Sequence, residues 1–186
     1  MFKKNISNSI KLIQYYKLIN HNLIFNNKAI NRYRKDNYEI STDKIISLDK
    51  LKKSINDIKH CNLKNNAKNI VFSDGNPKSK IMLIGEAPGA NEDKEGLPFV
   101  GRAGALLDKM LSAIDLDRKK VYISNIINYR PPENRRPTEE EIKRYLPFIT
   151  RHIEIIKPKI IVLLGSTAMN ALIGDEFVIS KMRGKW

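Results

Sequence analysis

Apolar positions recur at helical spacing before residue 60 and gather into short continuous runs after residue 80. In SNSIKLIQYYKLI (7–19), Ile10, Leu12, Ile13, Tyr16, Leu18 and Ile19 fall close to three or four apart, which predicts an amphipathic helix capped near Ser7. A poorly patterned link over 20–40 leads to STDKIISLDKLKKSINDI, where Ser41 or Thr42 would cap a second helix with Ile45, Ile46, Leu48, Leu51 and Ile55 on its apolar side. The runs KIMLI (80–84), VYISN (121–125) and KIIVLLG (159–165) then read as strands buried on both faces, as in parallel sheets. Between them lie two helical patterns, AGALLDKMLSAI (103–114) and TEEEIKRYLPFITRHIEII (138–156). In the second, Thr138 and Glu141 form a capping box after Pro137.

Strand and helix in alternation imply right-handed crossovers and an α/β sandwich around a central parallel sheet. Ligands of such sheets bind beyond the carboxyl ends of the strands. Three loops leave those ends, GEAPG (85–89), NIINYRPPENRRP (125–137) and GSTAMN (165–170), and they are expected to converge.

The first loop continues as GEAPGANEDKEGLPFVGRAG (85–104), with five glycines, two prolines and four acidic residues. Gly85, Gly89, Gly96 and Gly101 allow sharp turns that Pro88 and Pro98 stiffen, and amides exposed by such turns hold anions or carbonyl oxygens. The spacing does not match GxxxxGK[ST], which disfavours a Walker-type nucleotide cradle. Glu92 is a candidate catalytic carboxylate, and Phe99, fixed between Pro98 and Val100, is placed to stack on a base. In the second loop, Asn125 at a strand end can donate and accept along a base edge, as no carboxylate can. Arg130, Arg135 and Arg136 flank a rigid Pro131–Pro132 pair and suit bidentate phosphate contact.

Charge sharpens that picture. The 186 residues carry a formal net charge of +14, and the first 35 contain no acid, so a polyanion is the expected partner. The acids of the glycine-rich loop therefore stand out. No apolar run approaches the roughly 20 residues that span a bilayer. A single cysteine, Cys61, excludes an internal disulfide and fits a reducing, cytoplasmic setting.

GEAPGxxEDxxGxPFVGxAGxLL, a strand ending in Asn, RPPxNRxP, an acid-rich helix, PxIIxLLG and a final RG together resemble the family 4 uracil-DNA glycosylases from about Cys61 to Trp186. The resemblance implies a three-layer α/β/α sandwich, assigned to 41–186, while the helical pattern and charge ahead of it make 1–40 a basic helical arm. The resemblance also implies a monomeric repair enzyme that hydrolyses the N-glycosidic bond of deoxyuridine after flipping the base out of DNA. By motif, Phe99 would stack on uracil, Asn125 would read its edge, and the backbone of Gly85, Glu86, Ala87 and Gly89 would meet its carbonyls. Glu92 would support water attack or the cationic sugar, Asn134 would position the water, and Arg130, Arg135 and Arg136 would hold the DNA backbone.

The resemblance has two departures. Family members commonly bind a [4Fe-4S] cluster through four cysteines, whose positions here read Ile58, Cys61, Tyr129 and Tyr145. One thiolate cannot hold a cluster that takes four, so no cofactor is expected. The family pattern also continues past the final RG with an HPS-type loop, so the expectation is a sheet incomplete at its carboxyl end. The alternatives are a catalytically impaired remnant that only binds DNA, and a module related to phage-type DNA polymerases.

Overall fold

The computed structural model describes residues 42–174 and 176–184. The arm expected over 1–40 lies outside them. Helix α1 (Thr42–Asn56) buries Leu48, Leu51 and Ile55, while Ile45 and Ile46 remain largely exposed. A short helix, α2 (Asn62–Asn66), follows Cys61. The sheet comprises β1 (Asp74–Gly75), β2 (Ile81–Gly85), β3 (Tyr122–Asn125) and β4 (Ile160–Leu163), in the order β1-β3-β2-β4. β2 runs parallel to both β3 and β4, as the three apolar runs required. β1 adds an antiparallel edge on β3 that, at two residues, is too short to leave a period in the sequence.

The helices of the crossovers are α3 (Ala90–Glu95), α4 (Arg102–Ser112) and α5 (Glu139–Ile156), followed by α6 (Ser166–Ile173) and α7 (Ile179–Met182). Side chains alternate across a strand, so the sheet divides its residues between two cores. Met82, Ile84 and Tyr122 pack with Leu48, Leu51 and Ile55 of α1 and with Tyr145, Ile149 and Ile156 of α5. Leu83 and Ile123 face the other way, onto Leu107 and Leu111 of α4. Helices thus cover both faces, which is the expected α/β/α sandwich. The expectation of burial on both faces fails at the start of β4, where Ile160 and Ile161 are 41% and 39% exposed. Among the described residues nothing pairs with the outer edge of this strand.

Two polar features fix the frame. Helix α5 begins with the predicted box: Thr138 Oγ1 accepts from the Glu141 amide at 3.2 Å, and Glu141 Oε2 accepts from the Thr138 amide at 2.8 Å. Arg135 forks onto the same carboxylate at 2.8 and 2.6 Å. That ion pair, reinforced by the capping amide and opposed by partial burial, holds the Glu141 carboxyl below its usual range. Inside the larger core, Tyr122 Oη lies 2.7 Å from His152 Nε2 and donates to Ser73 Oγ at 2.8 Å, while the His152 ring stacks on Phe72 with centroids 4.6 Å apart. Burial lowers the His152 pKa to about 4, so this histidine is a neutral core residue at neutral pH. No helix among the described residues is long and apolar enough to cross a membrane.

Candidate active site

The glycine-rich loop leaves the carboxyl end of β2 and is held from two sides by adjacent carboxylates at the start of α3. Asp93, 2% exposed, turns inward and accepts from the amides of Lys68 and Asn69 at 2.8 and 3.2 Å. Backbone donors satisfy this buried charge, so it acts as a rivet under the helix. Glu92 turns the other way. Its Oε2 accepts from Gly89 N at 3.1 Å, and its Oε1 accepts from Val100 N at 3.0 Å and Gly101 N at 2.8 Å. One carboxylate therefore ties the entry of α3 to the entry of α4. Between them the chain turns at Gly96, whose φ of 73° ends α3 in the left-handed conformation glycine favours.

That stapling sets the posture of Phe99, which has a φ of 56°, a costly backbone state for an aromatic residue. Its carbonyl lies against Gly104 so closely that a Cβ there would sit 1.7 Å from the oxygen. The ring reaches back over the end of β2. A Cβ on Gly85 would stand 2.5 Å from Phe99 Cζ and 2.5 Å from Asn125 Oδ1, so only glycine leaves room for both. Gly85 and Asn125 are register partners across β2 and β3, so strand pairing puts the amide at the point that the loop brings the ring to.

A pocket of about 360 Å³ opens at this point, lined among others by Ala87, Gly89, Glu92, Phe99, Arg102 and Asn125. Asn125 is 2% exposed, and its Oδ1 is buried with no hydrogen-bond partner. An orphaned buried acceptor costs about 1–3 kcal/mol unless a ligand satisfies it. The pocket thus joins an aromatic ring to a buried acceptor that lacks a donor, with Glu92 and Arg102 also in its lining.

Of the residues expected at the site, Ala87, Gly89, Glu92, Phe99 and Asn125 line the pocket, and Gly85 lies beneath it. The Glu86 side chain, as distinct from the backbone expected to meet a base, turns to α6, with its Oε2 accepting from Thr167 Oγ1 at 2.5 Å. The 3-10 turn Pro132–Asn134 contains consecutive left-handed residues, Glu133 at φ 54° and Asn134 at 56°. The exposed Asn134 is not among the pocket-lining residues, and its Oδ1 accepts from Arg130 Nε at 2.7 Å. Arg136 is exposed, whereas Arg135 is committed to Glu141. Asn91 and Arg102 line the pocket although the sequence reading passed over them. The signal was available, since each lies near the amino end of a helix flanking the loop.

The four positions that hold a cluster in the resembling family do not fit one here. Cys61 is buried, with its Sγ 3.3 Å from Tyr145 Oη, and Tyr129 Oη donates to Asn56 Oδ1 at 2.7 Å. Ile58 packs against the core. A donor set of one thiol, two phenols and an alkyl chain lacks the thiolates an iron–sulfur cluster requires. Burial, with the neighbouring Cys61 and Asp57, pushes the Tyr129 phenol up to about 12 and keeps it neutral.

A sheet whose three longer strands run parallel and whose faces are both covered, with an aromatic ring and an unsatisfied amide meeting at the strand ends, defines an α/β protein with a candidate site at the carboxyl ends of its strands. The chain belongs to the uracil DNA glycosylase superfamily, whose family model matches residues 72–186. It is 47% identical over 144 residues to the type-4 uracil-DNA glycosylase of Sulfurisphaera tokodaii, covering 75% of this chain and 66% of that protein. It is 43% identical over 143 residues to the type-4 enzyme of Archaeoglobus fulgidus, covering 75% and 72%, and 46% identical over 125 residues to that of Thermotoga maritima, covering 67% and 65%. The aligned part of the chain thus spans about two thirds of the length of these relatives.

Proposed function

We propose that this protein releases uracil from DNA by hydrolysing the N-glycosidic bond of deoxyuridine. The observation that carries the reading is the buried, unpartnered Oδ1 of Asn125 beneath the Phe99 ring. Uracil offers an N3–H to that oxygen and a neighbouring carbonyl to the Asn125 amide nitrogen, while its face meets the ring. Cytosine presents an acceptor at N3 and is refused by the same oxygen. Family membership and the similarity to three type-4 uracil-DNA glycosylases support the assignment and do not favour a DNA-binding remnant or a polymerase module.

In the reaction, the C1′–N1 bond breaks with its electron pair leaving on the base, and a water oxygen bonds to C1′ while its proton passes to solvent or to the departing uracil anion. Positive charge grows on the sugar between those events. The Glu92 carboxylate, already fixed by three amides, faces that charge without having to reorganise, which is where electrostatic catalysis gains most. Asn134, steadied by Arg130, is the proposed water-positioning residue, and Arg130 and Arg136 the proposed phosphate contacts. We further infer that no iron–sulfur cluster takes part, and that the protein acts as a cytoplasmic monomer on DNA. Positive charge in residues 1–40 would add affinity for the backbone.

The test is incubation of the full chain with a uracil-containing single-stranded oligonucleotide, followed by alkali to cut abasic sites. Wild type is expected to cleave, with Glu92→Ala and Asn125→Ala each slower by about 100-fold or more, the scale of losing one positioned stabilising group. Equal, negligible cleavage by all three would overturn the proposal.

A further inference from the structure

Phe99 holds a backbone conformation that its own side chain disfavours, and contacts beyond the Glu92 staple of the loop help to impose it. The structure places one residue to do so. Arg118, in the segment between α4 and β3, donates from one terminal nitrogen to the Pro98 carbonyl at 3.0 Å and from the other to the Phe99 carbonyl. These are the carbonyls on either side of the Phe99 φ torsion. The guanidinium is itself fixed: its Nε donates to Asp108 of α4 at 2.8 Å, and the nitrogen that meets Pro98 also meets Asp74 of β1 at 2.8 Å. Four of the five donors of a rigid fork are thereby spent on four acceptors.

The anchoring extends to the backbone around Arg118. Gly75, beside Asp74, has a φ of 95°, and a Cβ there would lie 2.7 Å from the Arg118 carbonyl and 2.2 Å from that of Val121. Strand β1, the two-residue edge that the sequence pattern did not announce, thus seats the arginine. The Arg118 side chain is 25% exposed and is not among the residues lining the pocket.

We propose that Arg118, braced by Asp74 and Asp108, is a positioning residue for uracil excision, acting through Phe99 by holding its carbonyl, and hence its ring, in the base-stacking posture. The inference rests on the proposed uracil-binding role of Phe99, but the clamp itself is separable from that role. Lysine retains the charge but cannot reach four acceptors in one plane, so Arg118→Lys is the informative change.

The experiment has two arms on the full-length chain. In the first, uracil release is measured for Arg118→Lys, Phe99→Ala and the double variant. Arg118→Lys is expected to lose about 10- to 100-fold in kcat/KM, the range for breaking hydrogen bonds to a charged group. The double variant is expected to be no slower than Phe99→Ala, because the clamp has nothing left to position. A merely structural arginine would cost the same factor with or without the ring, and that result would overturn the proposal. In the second arm, the Phe99 Cα and Cβ chemical shifts of isotope-labelled protein report its left-handed backbone directly. They are expected to move in Arg118→Lys and, to a smaller degree, in the exposed Asp108→Asn, while the shifts of β2 and β3 stay in place. Unchanged Phe99 shifts would overturn the clamp. Absence of uracil release from wild type with shifted Phe99 resonances in the variants would instead sink the proposed function and leave the clamp standing.

Discussion

Replacing Gly85 by alanine adds one methyl group at the point where the two halves of the pocket meet. Its Cβ would fall 2.5 Å from Phe99 Cζ, 2.7 Å from Phe99 Cε2 and 2.5 Å from Asn125 Oδ1. Comfortable carbon contacts lie near 3.5–4.0 Å, so ring and amide must together retreat by about 1 Å. Neither moves freely: Asn125 is 2% exposed at the end of a central strand, and Phe99 is held between Gly104 and Arg118. Overpacking of this kind costs about 1–3 kcal/mol of stability, or roughly 2–4 °C in Tm per kcal/mol for a chain of this size. The loss in catalysis is larger in proportion, since a misplacement of about 1 Å costs on the order of 100-fold. Kinetics of uracil release alongside chemical denaturation separate the two effects. If Gly85→Ala folds and cleaves like wild type, the ring and amide do not form the base site and the geometric argument fails.

Three further outcomes follow from the same contacts. His152, with a folded pKa near 4 against 6.5, binds its proton more readily when unfolded, so stability is expected to fall by about 3 kcal/mol as pH drops from 6.5 to 4. Denaturation midpoints of wild type and His152→Leu across that window check it, and parallel profiles would refute it. In DNA binding, Arg130→Ala and Arg136→Ala should each reduce the slope of log K against log salt by about one, and Arg135→Ala by less, because Glu141 already neutralises Arg135. Equal slopes for all three would place Arg135 on the phosphates after all. Purified protein should lack stoichiometric iron and sulfide and show no visible cluster absorbance, and finding both elements in cluster ratio would refute the reading of Cys61, Tyr129 and Tyr145.

The sequence alone carried the layers of the fold and several residues that line the candidate pocket. Apolar runs at 80–84, 121–125 and 159–165 read as parallel strands, though the start of the third stays partly exposed, and helical patterns of the right length between them left little choice of connection. Ala87, Gly89, Glu92, Phe99 and Asn125, expected from the glycine-rich loop, the strand end and the family resemblance, line one pocket. What the sequence did not carry was any relation set by distance in space. Strand pairing brought Gly85 opposite Asn125. Three backbone amides converted Glu92 from a surface acid into the staple of the loop. Arg135, whose residue type suited a phosphate, forks onto Glu141, and the side chain of Glu86 meets Thr167. Arg118 carried no motif, and its work became visible only when Asp74 and Asp108, one before it on β1 and the other on α4, came within 2.8 Å of it. Periodicity records which side chains leave water; it does not record which partner a polar side chain finds, because that is decided by the packing of elements distant in the chain.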